Sequence, residues 1–430
     1  MSEQPEQPER SERKRLRRDI RWNLLPVVLL GGVGLGINFG IGKLWGAGAL
    51  GVFSLVTISF FSFSVLGACG LQYAVLRAVA EAEHDRQRIA ATVVGAVIPA
   101  VVIAAAATGV YLLLRGTFAD LQGEGVARGM LWVAPGLFCF AINKVLLGVV
   151  NGLRRMRAFA IYTSLRYVLL GLALVFARVT DLEGEQLPVI WTFAEGGLLL
   201  VLVVELFVTV DLAKGTGWQS EARRHLTFGV RGVGATLAAE INSKLDVWML
   251  GSVLPNGSPL IGIYSLGSQL FEGVTQLAVV VQNNVNPVIA RELALGHASK
   301  VEDLVSRTRR WFVPAIIGAC ALGATLYPLV IPWLLDDPTF SAGSWPFAIL
   351  MLGIALASPY LPFIQLLLMA DKPGWHTVYV IGIVGVTAIG TVILIPPWGL
   401  IGAATSAAAS LVASAILLRT IVRARVGIRL

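Results

Sequence analysis

Apolar runs of about twenty residues recur from one end of this 430-residue chain to the other. A helix of that length covers the hydrocarbon core of a bilayer, roughly 30 Å thick. Helices of soluble domains average about 11–12 residues, so a soluble core does not repeat the longer length so often. Charged residues are also scarce, at 14% against about 25% in soluble domains, and mean hydropathy is +0.75. The chain reads as an all-α polytopic membrane protein, with no segment of strand period. Breaks between the runs place twelve transmembrane helices near 24–44, 50–70, 90–114, 129–150, 159–177, 187–209, 227–251, 260–285, 312–335, 344–369, 375–395 and 399–420.

A net charge of +8 raises the question of nucleic acid, and its distribution answers it. Twenty-seven Lys and Arg fall before the first span, in the loops after even-numbered spans, or after the last span. The opposite loops hold four, Lys43, Arg115, Arg128 and Arg178. This asymmetry follows the positive-inside rule and places both termini in the cytoplasm. The basic excess is a topology signal, with no nucleic-acid partner implied. The basic tail "RSERKRLRRDIRW" anchors the first span or touches acidic membrane lipid.

Six spans precede the longest cytoplasmic loop and six follow it. "GVFSL" at 51–55 recurs as "GIYSL" at 262–266, and the same offset pairs Phe60 with Phe271 and Glu81 with Glu292. An even number of spans per half makes the two repeats parallel, a recurrent transporter plan with a central cavity. The expected organisation is a basic cytoplasmic tail over 1–22, a six-helix lobe over 23–210, a linker over 211–225, a second six-helix lobe over 226–422 and a tail over 423–430.

Enzyme chemistry finds little support. No G-x-x-x-x-G-K-[ST] or H-E-x-x-H segment occurs, and no outer loop is long enough for a catalytic domain. His84, His225, His297 and His376 are dispersed at loops or span edges, and "EAEHD" at 81–85 reads as a solvated turn. Cys69, Cys139 and Cys320 lack metal-ligand spacing and read as small buried residues. Neither a catalytic set, a metal site nor a cofactor is expected.

With Lys43, Arg231 and Arg419 at span ends counted among the loops and tails they adjoin, eight ionisable residues fall inside spans: Lys144, Arg166, Glu195, Glu205, Glu240, Lys244, Asp246 and Glu272. Each costs about 2.5–3.5 kcal/mol at mid-bilayer on insertion scales, which makes such residues functional candidates. Glu240 and Lys244 are four apart and share a helix face, so they either neutralise each other or serve separate roles. Asp246 shares another face with Asn242 and either bonds to it, bonds to a neighbouring helix or faces water. Lys144 and Arg166 either pair with Glu195 or Glu205 or line a path for an anion, phosphate above all. Glu272 forms a polar stripe with Gln269 and Gln276, and "QNNVNP" (282–287) ends that span with amides that cap the helix or bind sugar hydroxyls.

Several stretches resemble the bacterial polysaccharide flippases of the multidrug/oligosaccharidyl-lipid/polysaccharide exporter superfamily. "GAGALGVFSLVTISF" with "GLQYAVLRAVAE" is similar to the first loop and second span of that family. "NGLRRMRAFAIYTSLRYVLLGLAL" is similar to its passage from span 4 to span 5. "NSKLDVWMLG" and "IGIYSLGSQLFEGVTQL" are similar to spans 7 and 8, and "LIPPWGLIGAATSAAAS" to the entry of the final span. The resemblance implies flipping of a polyprenyl-pyrophosphate-linked oligosaccharide, coupled to H+ or Na+, with polysaccharide polymerase and glycosyltransferases as partners. Under it, Asp246, Glu240 and Glu272 serve ion coupling, while Lys244, Arg166, Lys144, Asn242 and Gln276 face the cargo. The alternatives are a multidrug/cation antiporter on the same fold and a non-transporting scaffold for glycan enzymes. The cationic residues weigh against the antiporter.

Overall fold

The computed structural model describes residues 6–82 and 85–428, with side chains from residue 31 onward except that of Ala235. Glu83 and His84 of "EAEHD", residues 1–5 of the basic tail and residues 429–430 of the C-terminal tail lie outside the described residues, as do the side chains of the rest of the basic tail. The described chain is helical, and no strand occurs among those residues.

Its helices are α1 (Glu6–Ala68), α2 (Leu71–Glu81), α3 (Arg86–Leu113), α4 (Arg115–Gln122), α5 (Glu124–Gly152), α6 (Met156–Val179) and α7 (Val189–Thr209). There follow α8 (Trp218–Ser243), α9 (Leu245–Val253), α10 (Pro259–Ala294), α11 (Ala298–Leu335), α12 (Ser344–Ala357), α13 (Leu366–Met369) and α14 (Pro373–Arg425). Eight stretches are long and apolar enough to cross a membrane by length and composition alone. Two of them, α1 and α14, break at Gly46 and Gly399 into two spans each. The α8–α9 pair and α10 are the two polar spans, which completes the twelve. Two six-helix lobes result.

The break in α14 has a plain cause. Gly399 adopts φ 52° and ψ −123°, a backbone conformation closed to residues with a Cβ, and Pro396 and Pro397 precede it. The two arms then run antiparallel. Tyr379 Oη meets Ser414 Oγ at 2.6 Å, Thr387 Oγ1 meets Ser410 Oγ at 2.6 Å, and Thr391 Oγ1 meets Ser406 Oγ at 3.2 Å. Hydroxyls that lipid cannot solvate are satisfied by each other.

By contacts the chain divides into two compact units, Met1–Gly40 with Val52–Ile241, and Ile41–Gly51 with Asn242–Leu430. Within the first, α5 is the centre: 78% of its apolar window is buried, against 22% for α6. Leu71, Val75, Ala96, Val145, Leu198 and Leu202 form its core. The expected linker over 211–225 is largely the start of α8, which packs on α3. A side chain on Gly95 would run into the Trp218 carbonyl and Ala222, and Arg224 donates to Glu81 at 2.9 Å. Charge-rich "WQSEARRH" carries no apolar stripe, so it reads as loop although it is helix.

In the second unit, Ile289, Val301, Phe363, Leu366, Tyr379 and Leu418 build the core. Residues 41–51 pack here. Lys43 pairs with Asp336 at 2.8 Å, and Gly262 touches Ala47 so closely that any side chain there would strike its carbonyl. The α10 helix starts at the Ser258 cap with Pro259 in its first turn. It does not end at "QNNVNP": it passes Pro287 and continues to Ala294. Asn284 bonds its own helix at the Val280 carbonyl, while Asn286 donates to Gln365 Oε1 at 2.8 Å. The span near 344–369 is interrupted, with α12 ending at Ala357 and α13 starting at Leu366.

Candidate functional site

In the first unit, three neighbouring helices bring charge to membrane depth. Arg166 on α6 lies 2.6 Å from Glu195 on α7, measured from Nε to Oε1. Asn143 on α5 donates to the same carboxylate at 2.9 Å and also to the Glu195 backbone carbonyl at 2.9 Å. Glu195 is fully buried, so its charge depends on these two partners. Lys144, next to Asn143, donates to Ser64 Oγ at 2.9 Å. The Lys144 ammonium and the Arg166 guanidinium each sit 4.7 Å from the centre of the Phe140 ring, within the range of attraction between a cation and a ring face. Phe60, Phe61 and Trp191 surround Phe140 and each other. Glu240, on α8, acts electrostatically on Lys144.

Of the two pairings open from sequence, Arg166 takes Glu195. Glu205 is engaged elsewhere, by Arg155 and by the Tyr162 hydroxyl at 2.8 Å. Lys144 is paired to neither. The arrangement sets two cations on one aromatic ring, beside a single fully buried carboxylate. Arg166 and Lys144 are the groups in it able to meet a phosphate oxygen.

In the second unit, α8 stops at Ser243 and Lys244 adopts φ −129° and ψ 13° before α9 begins. Asn, Ser and Lys in succession explain the weakness, since Asn and Ser side chains compete with helix hydrogen bonds. The interruption takes Lys244 out of the helix that carries Glu240. Lys244 pairs with Glu272 on α10. Asp246 accepts from the Tyr264 hydroxyl at 2.6 Å and from the Val247 amide at 2.9 Å, not from Asn242. Tyr264 is 1% exposed. Asn242 Oδ1 has no hydrogen-bond partner among the described residues, and Gln276 is exposed on α10. Gln269 Oε1, nearer the start of the same helix, is likewise buried without a partner among the described residues.

Two units that each carry an intramembrane polar cluster can be compared with solved structures. The chain matches the lipid II flippase MurJ in an inward closed conformation with a TM-score of 0.76 at 13% identity, over 94% of this chain and 87% of that one. An inward-facing multidrug resistance MATE family transporter of the MOP superfamily matches with a TM-score of 0.72 at 14% identity, over 95% and 98%. The fold is that of the MOP transporters. The Vibrio cholerae MATE transporter VcmN, in a mutant form, matches with a TM-score of 0.61 at 14% identity, over 96% and 97%. No family model matches the chain, and no curated protein matches it by sequence.

On this MOP fold the sequence-derived residues sort into two groups, in separate units. Lys144, Arg166 and Glu240 belong to the first, and Asn242, Lys244, Asp246, Glu272 and Gln276 to the second. Sequence reasoning missed Tyr264, Asn143, Ser64 and Phe140, which position the charged groups. Tyr264 lies 18 residues beyond Asp246, a separation that carries no local signal. Asn143 is visible only as a second polar residue beside Lys144. Arg231, counted with the preceding loop, lies inside α8 and is exposed.

Proposed function

We propose that this chain is a flippase for a polyprenyl-pyrophosphate-linked oligosaccharide, moving it from the cytoplasmic to the outer leaflet for cell-surface polysaccharide assembly. The observation that carries this reading is the pair of cations on Phe140. Lys144 and Arg166 lie in apolar helices, both against one aromatic ring, and only Arg166 is paired with a buried carboxylate. A cationic group at that depth is costly and suits an anionic cargo. Arg presents a planar fork of donors to phosphate and Lys a mobile point charge. The likeness to MurJ, a lipid II flippase, supports a lipid-linked cargo.

Asp246 is the coupling carboxylate in this proposal, with Tyr264 holding its orientation and Glu240 and Glu272 as further acidic groups. H+ or Na+ is the coupling ion. Lys244, Asn242 and Gln276 complete the cargo contacts. Glycosyltransferases that build the lipid-linked glycan and a polymerase that consumes it are the partners of such a step, in the inner membrane with both termini cytoplasmic. A second reading, a multidrug/cation antiporter, draws on the same carboxylate. Asp246 with its tyrosine is an acidic site, and MATE transporters share the fold.

Inside-out membrane vesicles decide between them. A radiolabelled polyprenyl-pyrophosphate oligosaccharide is placed on the exposed cytoplasmic face, and its protection from added hydrolase is followed with and without a proton or sodium gradient. Protection that requires the protein and is lost in Asp246→Asn, at normal protein level, is the expected outcome. Absence of protection together with gradient-driven uptake of a cationic dye would make the chain an antiporter. Normal flipping by Asp246→Asn would remove that residue from the coupling role.

A further inference from the structure

The interrupted span near 344–369 leaves backbone carbonyls without helix partners, and one of them fixes an arginine. Arg309, on α11, donates from Nε to the Pro359 carbonyl at 2.7 Å. Its guanidinium lies 4.6 Å from the centre of the Tyr360 ring and 5.9 Å from that of Phe363. Backbone and aromatic contacts therefore hold the plane of the group, with Nη2 buried and the Tyr360 side chain its polar neighbour. Beside it opens a pocket of about 500 Å³, lined by Glu302, Ser306, Arg309, Arg310, Pro314 and Pro359 among others. Arg310 is exposed, and Arg419 on α14 adds its positive field at Arg309. Two arginines thus line a pocket to which Glu302 contributes a carboxylate.

Depth follows from the neighbours. Trp311 is 56% exposed immediately after the arginine pair, the usual station of a tryptophan at a membrane–water interface. The charge asymmetry assigns this end of α11 to the cytoplasmic side. Basic pockets between helices on that side suit lipid headgroups, and a preset guanidinium fork with a hydroxyl such as Ser306 matches phosphate oxygens.

We propose that this pocket seats the phosphate of an anionic lipid headgroup in the inner leaflet, with Arg309 and Arg310 as its ligands. Two lipids carry that chemistry, a bulk anionic phospholipid and a polyprenyl phosphate. The site lies wholly in the second unit and is independent of the cation pair on Phe140, so it stands whether the cargo is a glycan lipid or a drug.

Native mass spectrometry of the full-length protein in mild detergent tests it, with phosphatidylglycerol and polyprenyl phosphate titrated separately. Each arginine near the membrane surface is worth about a fivefold change in affinity. Arg310→Gln, at an exposed position, should weaken the adduct by about fivefold, and Arg309→Gln/Arg310→Gln by about thirtyfold. Arg307→Gln, exposed but outside the pocket lining, should leave it unchanged. The lipid whose adduct responds is the occupant. Equal loss in Arg307→Gln would reduce the effect to diffuse charge, and unchanged adducts of both lipids in Arg310→Gln would do away with the site. Full displacement by millimolar inorganic phosphate would overturn the lipid assignment.

Discussion

Arg166 and Glu195 hold each other in place: the carboxylate has no exposure, and the guanidinium is 11% exposed. Removing one partner of a buried ion pair costs about 3–5 kcal/mol, because the other charge is stranded, whereas replacing both with apolar groups is often neutral. Arg166→Met should therefore lower stability by about 3 kcal/mol or more, and Arg166→Met/Glu195→Leu should recover most of it. Unfolding in detergent measures this, and equal losses in the single and double variants would deny the coupling. Under the proposed function the double variant is folded but fails to flip its cargo, since the phosphate ligand is gone. Pairing of Arg166 with one of two glutamates was one of the two readings that the sequence left open, since lipid forces intramembrane charges to find partners. Which glutamate it takes was not legible, since that depends on how α6 and α7 pack. Asp246 with Tyr264 was hidden for the same reason, a tyrosine in an apolar run being indistinguishable from core until the helices are set side by side.

Helix α8 reaches well beyond its membrane stretch, and its start is docked on α3. His225 is 1% exposed, with Nε2 3.2 Å from the Thr92 carbonyl. Glu221 and Arg224 flank it on α8, and Glu81 of α2 pairs with Arg224. Burial holds the His225 imidazole below its usual range, against the smaller upward pull of the Thr92 carbonyl and Glu221. The folded state thus prefers the neutral ring. That contribution is full above the unfolded value of about 6.5 and is lost as pH falls from there through the depressed folded value. Hydrogen exchange over 216–225, corrected for intrinsic rate, should report opening that rises by up to about tenfold per pH unit in that window. His225→Gln should flatten the dependence, and a wild-type profile without slope would show that the ring does not titrate with docking. The sequence could place the apolar body of each span but not this extension, because a helix covered by α3 on one side and water on the other has too little apolar face to be recognised. The break at Lys244 is the converse case. There a helical spacing is interrupted by weak helix formers, Asn242 and Ser243, between its ends.

At the scale of the molecule, twelve spans and the charge asymmetry of the loops make a single topology that can be read chemically. In a variant with Cys69, Cys139 and Cys320 replaced, Asp181→Cys between α6 and α7 should react with an impermeant maleimide on intact cells. Arg154→Cys between α5 and α6 should react only after permeabilisation, and the reverse pattern would invert the chain in the membrane. The span plan was legible from run length because the bilayer imposes it directly, and the Lys/Arg counts supply the orientation that the labelling tests. The two polar spans, α8–α9 and α10, were legible as spans only through their neighbours, as their own hydropathy falls short. The α14 hairpin carries a further implication, for synthesis. Its hydroxyls at Tyr379, Thr387, Thr391, Ser406, Ser410 and Ser414 are matched across the two arms, so neither arm alone is a comfortable guest in lipid and the pair together is. The last two spans should therefore leave the insertion machinery as one folded hairpin, the first waiting in the translocon until the ribosome has delivered the second.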